Sequence, residues 1–412
     1  MIQRPMRVRS NIPAGILATT FTLLCAVAGP AMAQTSTDPQ EVIDKVRRVE
    51  QDPIQYRLSR GPLDYVLRPW ERLQNRLDKR FGFRMFALYA PVVQAASDAE
   101  TANHAFDLFA RWDNIIDSET WGKGSLDLFA FHRADDLMDT TTAEFQRTLG
   151  LAIPVNDNNI NGSLSSVAQL AWEHLLFNDR LEIAFGQFDP NSIWDKNAYA
   201  GYDRESFLHK ALSANPVRPF PGSGLGAGVA VNTAGGWRLS VGAMDAEANG
   251  EYPDFDSLSV GNWSYIAEAR LELDDPTFGR GNYRFGFQQT EATDTRLEDT
   301  AWSLSFDQEL ADGVGGFFRY ANGDGNRTGI KYFFSTGAVF QQPFASTDDW
   351  IGAGFFWSRP RENRREYGGE LYWRIQLTRR TILTPDAMLI RPSNAGKHDV
   401  EFLANLRLTI AI

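Results

Sequence analysis

From Phe83 to the C-terminus, apolar and polar residues alternate with a period of two, as in strands whose two faces meet different surroundings. Phe106, Leu108, Ala110 and Trp112 alternate with Asp107, Arg111 and Asp113, broken only by Phe109. Trp263, Tyr265, Ala267, Ala269, Leu271 and Leu273 face away from Ser264, Glu268, Arg270 and Glu272. Leu371, Trp373, Ile375 and Leu377 oppose Glu370, Arg374 and Gln376 in the same way, and Phe402, Leu406 and Leu408 oppose Glu401, Asn405 and Arg407. The pattern predicts strands near 83–91, 104–113, 125–132, 164–174, 181–188, 224–232, 236–244 and 263–273. It continues with strands near 281–289, 300–308, 314–321, 327–335, 349–358, 367–378, 380–390 and 399–411. Each has roughly the 9–11 residues that cross a bilayer when tilted, and their even count suits a closed antiparallel bacterial barrel. Segments 125–132, 224–232 and 380–390 are the least regular, which keeps fourteen and eighteen strands open beside sixteen. The expected fold class is all-β, a transmembrane antiparallel β-barrel of about 16 strands with a short N-terminal helical extension.

Before Phe83 the period is helical. Val42, Val46 and Val49 recur among charges, and Pro62 to Arg80 places Leu67, Trp70, Leu73 and Leu77 on one face. The first residues read as a secretory signal. Arg4, Arg7 and Arg9 form a basic start, Gly15 to Gly29 an apolar stretch short for a membrane anchor, and Ala31-Met32-Ala33 a cleavage site before Gln34. The division expected is therefore a signal peptide over 1–33, a helical and polar extension over 34–82 that caps or plugs the barrel, and a barrel over 83–412. The single cysteine, Cys25, falls within the leader behind Leu24, which argues against lipoprotein processing and leaves no disulfide scaffold.

The two faces favour lipid over a soluble sandwich, which also alternates. One face is aromatic and aliphatic almost without charge; the other mixes Arg, Glu, Asp, Gln, Ser and Gly. Of eleven Trp, eight fall within the expected strands: Trp237, Trp263, Trp302 and Trp350 near starts, Trp112, Trp172 and Trp357 near ends, and Trp373. Girdles at the two membrane interfaces would distribute them so. Connections alternate as well: Ala234-Gly235 and Thr378-Arg379-Arg380 are tight, whereas 189–223, 245–262, 290–299 and 336–348 are long and polar. Composition agrees, with 12% aromatic residues but a mean hydropathy of −0.33, too low for a bundle of apolar helices. Formal charge is −11, or −14 once the three leader arginines are removed, and no basic block is present, which argues against nucleic acid.

One stretch reads differently. Gly186-Gln187-Phe188-Asp189-Pro190-Asn191 closes a strand and runs through Trp194, Asp195 and Asn197 to Arg204-Glu205-Ser206-Phe207-Leu208-His209. Asn215-Pro216, Pro219-Phe220-Pro221-Gly222 and Gly224-Leu225-Gly226 follow. This resembles the central signature of the carbohydrate-selective, OprB-type porins of Gram-negative outer membranes, with His209 where Asn is expected. Trp70 to Gly82 is similar to that family's N-terminal segment. The resemblance implies a sixteen-stranded outer-membrane channel for sugar uptake, monomeric or trimeric. Its partners would be small-molecule carbohydrates, outer-membrane lipids and, in one assembly, a homotrimer, with no cofactor. Such barrels commonly end in an aromatic; Ile412 is read as a variant insertion signal.

Catalytic and metal sites are not expected. His104, His132, His174, His209 and His398 form no helical zinc pair, and no G-x-S-x-G elbow occurs. Gly222 to Gly228 and Gly313 to Gly316 read as glycines relieving crowding in a barrel. Asp245, Glu247, Glu251, Asp254 and Asp256 read as a solvated loop rather than a glycosidase pair. The function expected is passive, selective diffusion of carbohydrates and similar small polar solutes; the alternative is an exported soluble β protein that binds or hydrolyses glycans. Selectivity is expected in the segment Asp189 to Gly222, through Trp194, Asp195, Asn197, Arg204, Glu205 and His209, with the aromatic faces of Tyr199, Tyr202 and Phe207. Arg111, Arg238, Arg270, Arg319 and Arg374 are expected to face it across the lumen.

Overall fold

The computed structural model describes residues 57–58, 61–156, 158, 161–201, 203–248, 261–275, 279–344, 348–362, 364–394 and 398–412. The leader, the helical period of Val42, Val46 and Val49, the acids Glu251, Asp254 and Asp256, and Tyr202 lie outside the described residues.

Sixteen strands close into one barrel in which each pairs antiparallel with its chain neighbours and β1 meets β16. They are β1 Phe83–Ala95, β2 Glu100–Ser118, β3 Gly122–Ala134, β4 Ser163–Leu176, β5 Leu181–Phe188, β6 Gly224–Asn232, β7 Trp237–Asp245 and β8 Trp263–Asp275. The circle continues through β9 Gly279–Thr290, β10 Asp299–Ala311, β11 Val314–Gly323, β12 Ile330–Gln341, β13 Trp350–Pro360, β14 Glu366–Thr378, β15 Thr381–Arg391 and β16 Glu401–Ala411. Closure sets Tyr89 opposite Ile410 and Val92 opposite Arg407, so the circle has no free edge.

Two strands, β12 and β2, depart furthest from the sequence reading. The strand expected at 327–335 lies at Ile330–Gln341, and 336–341 belongs to it rather than to a loop. Gly325 and Gly329 take left-handed φ values of 67° and 76°, folding the preceding residues into a turn. Ser335-Thr336-Gly337-Ala338 are too small to show alternation, yet they pair with Arg319 to Gly316. β2 outruns its expected 104–113 at both ends, continuing past an irregularity between Trp112 and Ile116.

Pleating decides what faces where. Phe185, Phe285, Phe287, Leu371, Leu389, Phe402 and Leu406 point outward and are 41–57% exposed, a surface that water would not tolerate over a whole circumference. Trp112, Trp172, Trp237 and Trp373 band the outer face near the short turns, while Trp263, Trp302 and Trp357 band it near the long connections. Trp350 departs from this scheme: opposite Arg374 in register, it lies beneath that guanidinium, 4.9 Å from its ring centroid, on the inner face. Placing a charge at mid-strand on the outer face, as in Leu371→Arg, should cost about 2–4 kcal/mol in a bilayer. A lower unfolding midpoint in lipid vesicles checks this.

The residues before β1 form α1 (Pro62–Val66) and α2 (Arg68–Phe81) rather than one helix. Pro69 in the first turn of α2 lacks the N–H that would join them. α2 ends at Gly82, left-handed at φ 66°, and is tied to the short-turn end of the barrel. There Gln74 donates to the Met85 carbonyl (2.9 Å), Trp112 Nε1 to the Phe81 carbonyl (2.9 Å), and Glu71 pairs with Arg380 and Arg379.

Candidate functional site in the barrel lumen

The connection between β5 and β6, residues 189–223, turns into the lumen instead of standing over it. Its turns are closed by short polar side chains accepting backbone N–H groups two or three residues on. Asp189 accepts from Asn191 (3.0 Å), Asn197 from Tyr199 and Ala200 (3.1 and 3.2 Å), and Asn215 from Val217 (3.1 Å). His209 Nδ1 likewise accepts from Ala211 (3.1 Å), starting the short helix α4 (Lys210–Ser213). Asp195 adopts φ 60°, a conformation its short polar side chain permits.

Glycines on the inner face of alternate strands make room for this segment. A Cβ at Gly242 on β7 would meet the Trp194 ring at 2.7 Å, and one at Gly315 on β11 the Tyr199 ring at 2.0 Å. At Gly286 on β9 it would strike Arg218, and at Gly354 on β13 Leu212 and Phe207. Charged groups then hold the backbone. Glu370 accepts from the amides of Leu208 (2.5 Å) and His209 (2.9 Å), while Arg407 donates to the carbonyls of Asp203 and Ser206 (2.8 Å for the latter). Phe207 packs edge-on against Tyr372 and Phe317, within an apolar cluster enclosed by the barrel wall.

A second inward connection was not foreseen from sequence. Between β3 and β4, α3 (Thr142–Thr148) leads into residues 149–158, which enter the same cluster through Leu149, Leu151, Ile153 and Val155. Glu366, two repeats of the pleat from Glu370 on the same face of β14, accepts from the amides of Ala152 (2.6 Å) and Ile153 (3.0 Å). The two segments join where Lys210 N–H meets the Pro154 carbonyl (3.0 Å). A signal existed: Thr141 and Glu144 form a capping box, a pattern visible as Thr-x-x-Glu ahead of Phe145.

Below the first segment runs a belt of charge. Ser240, Glu268 and Ser305 touch it, through Trp194 Nε1 (3.2 Å), Asp195 N–H (2.8 Å) and Asn197 Nδ2 (3.3 Å). Two residues along the same strands, on the same face, stand Arg238, Arg270 and Asp307. The acidic arc of the belt is Asp113, Asp127, Glu173 and Glu182 on β2 to β5. Arg111 sits among the first three, 2.7 Å from Asp113 and 2.8 Å from Asp127, and bonded to Glu173. The basic arc is Arg238, Arg270 and Arg284 on β7 to β9, with Arg238 3.0 Å from Glu182, Arg284 2.5 Å from Asp307 and Arg270 3.9 Å from Glu272.

The residues singled out in the sequence are thus brought together, but in unequal exposure. Trp194, Asp195, Asn197, Arg204 and His209 are buried and fasten the segment to the wall; Arg204 pairs with Asp107 (3.0 Å) and with Asp203. Arg319 is buried beneath the segment, donating to the Leu212 carbonyl (3.3 Å), and Arg374 pairs with Asp348 (3.6 Å). Glu205 remains half-buried, as do Lys196 and Tyr199, with Ala198 exposed between them. Burial and the nearby acids Glu309 and Asp307 push the Tyr199 phenol up to about 12, so it stays neutral. Among the described residues no group of three or more His, Cys, Asp or Glu is arranged to hold a metal ion.

His209 stacks on Phe356 at 4.3 Å, and burial drives its pKa down from 6.5 to about 3. The folded protein holds it neutral while the unfolded chain takes up a proton below about pH 6.5. Stability therefore falls as pH drops from there toward 3, by about 1.4 kcal/mol per unit from this group. His209→Asn should flatten that part of the dependence, read from unfolding midpoints between pH 4 and 7.

A profile of the carbohydrate-selective porin, OprB family, matches residues 155–411. Porin AaxA of Chlamydia abortus is 23% identical over 246 residues, covering 58% of this chain and 53% of its own, so the chain spans about half the length of that relative. The high-pH structure of Pseudomonas putida OprB superposes with a TM-score of 0.68 at 16% identity, over 83% of this chain and 97% of that one. Its low-pH structure gives 0.57, also at 16% identity, over 88% and 100%. At such identity the likeness is one of fold.

Proposed function

We propose, because this chain belongs to the OprB family of carbohydrate-selective porins, that it conducts neutral sugars and similar small polyols by passive diffusion through the passage left beside its inward segments. In family and fold it is a channel rather than an enzyme, and its place is the Gram-negative outer membrane. The observation carrying the proposal is the segment 189–223, seated on inner-face glycines and bordered by an acidic arc and a basic arc. The two arcs adjoin, with Arg238 of one reaching Glu182 of the other, and the change of sign along this wall sets up a field that orients water and hydroxyl dipoles and hinders ions of either charge. Tyr199, Lys196 and Glu205, among the partly exposed side chains of the segment, are well placed for contact with a solute; Trp194, Asp195, Asn197, Arg204 and His209 are buried and hold the segment in place. Arg238 and Arg270 lie on the strands that the segment rests against, and Arg111 on β2 within the acidic arc.

Proteoliposome swelling with a graded series from glycerol through mono- to trisaccharides tests the reading. Rapid passage of monosaccharides with a steep fall beyond disaccharides is expected. Equal rates across the series, or swelling no faster than in empty vesicles, would refute it.

A further inference from the structure

Among the described residues, the mouth of the barrel at the long connections carries two mainly acidic stretches, with Asp98, Glu100, Asp135, Asp136 and Asp139 in one and Glu291, Asp294, Glu298 and Asp299 in the other, where Arg296 and Arg327 interleave. One quadrant reverses the sign. The end of β13 and its connection to β14 carry Arg359, Arg361, Arg364 and Arg365 against the single acid Glu362, and Arg391 ends β15 beside them. All five arginines are exposed.

Their placement is on the outside of the wall, not over the pore. Tyr320, Phe334, Trp357 and Tyr367 form one cross-strand row on the outer face, and Arg391 stands opposite Tyr367 as its last member. Arg365 lies over the Trp357 ring at 5.8 Å; Arg391 lies over the Tyr367 ring at the same distance and donates to its hydroxyl (3.0 Å). Arg359, opposite Tyr332, completes the outward set. Guanidinium groups resting on girdle aromatics sit where bilayer headgroups begin, and their forks match phosphate oxygens in pairs.

We propose that this quadrant is a docking surface for a phosphorylated glycolipid of the outer leaflet, its phosphates held by Arg359, Arg365 and Arg391 and its acyl chains against the aromatic row. The inference rests on the outer-membrane placement with the long connections outward. Five exposed arginines against one acid in this quadrant, on a chain with a net charge of −11, favour such a partner over unspecific attraction.

The test uses the full protein in phosphatidylcholine nanodiscs, titrated with bisphosphorylated lipid A, with dephosphorylated lipid A and with inorganic phosphate as competitor. The phosphorylated lipid should bind preferentially, and Arg359→Gln, Arg365→Gln and Arg391→Gln together should weaken it about 100-fold, at roughly fivefold per arginine. The three Lys variants, which keep the charge and lose the paired fork, should bind between the wild type and the Gln variants. Single Arg365→Gln and Arg391→Gln variants give the same reading if the triple variant does not fold. Equal binding of both lipids, unchanged affinity in the variants, or displacement by millimolar phosphate, which would mark a free-anion site, each overturns the proposal. Sugar flux should be unchanged throughout, so the result separates from that of the channel reading.

Discussion

Glu370→Ala should widen the channel and erase most of its discrimination among sugars. The carboxylate of Glu370 is the acceptor for two successive amides of the inward segment, those of Leu208 and His209. Its removal leaves both N–H groups buried without an acceptor, at about 1–3 kcal/mol each. Water and the segment's own mobility are then the cheapest way to satisfy them. Conductance in planar bilayers should rise severalfold, and trisaccharide flux should approach that of monosaccharides. Glu370→Gln, which keeps an acceptor oxygen, should fall between. Wild-type conductance in the alanine variant would show that Arg407 and the apolar cluster hold the segment alone.

Arg111→Ala should be the most destabilising single change in the charge belt. Its guanidinium touches Asp113, Asp127 and Glu173, and the side chains of Asp127 and Glu173 are 1% and 2% exposed. Removing the cation strands those carboxylates at about 3–5 kcal/mol. Barrel that still folds should turn cation-selective, because the arc of β2 to β5 loses its one positive member. Reversal potentials across a salt gradient measure this, and Arg111→Lys should recover the selectivity more than the stability.

How much of this was legible in the sequence depends on what each residue faces. The strands were readable because lipid imposes one requirement everywhere outside: Phe285, Leu371 and Phe402 have no partner to adapt to, so the alternation stays clean. It failed only where residues are small, as over Ser335 to Ala338, and where an inward aromatic imitated a girdle, as at Trp350. The lumen follows no period. Trp194 and Arg204 have the chemistry of solute contacts, yet Trp194 lies against Gly242 and Arg204 against Asp107, positions far apart in the chain whose meeting only closure of the barrel creates. Of the glycines read as relieving crowding, Gly315 makes room for Tyr199; Gly242, Gly286 and Gly354, which seat the rest of the segment, gave no such sign in the sequence. Residues 149–158 escaped because their apolar members look like any loop until the wall around them is complete.

Tyr199→Cys tests most directly whether the segment borders the passage. The one cysteine of the chain, Cys25, falls within the part read as leader, so a reconstituted channel would carry a single target thiol. Treatment with a bulky, water-soluble thiol reagent should cut both ion conductance and monosaccharide flux several-fold, and saturating sugar should slow the modification. Full modification with conductance and flux both unchanged would place residues 189–223 outside the route of the solute.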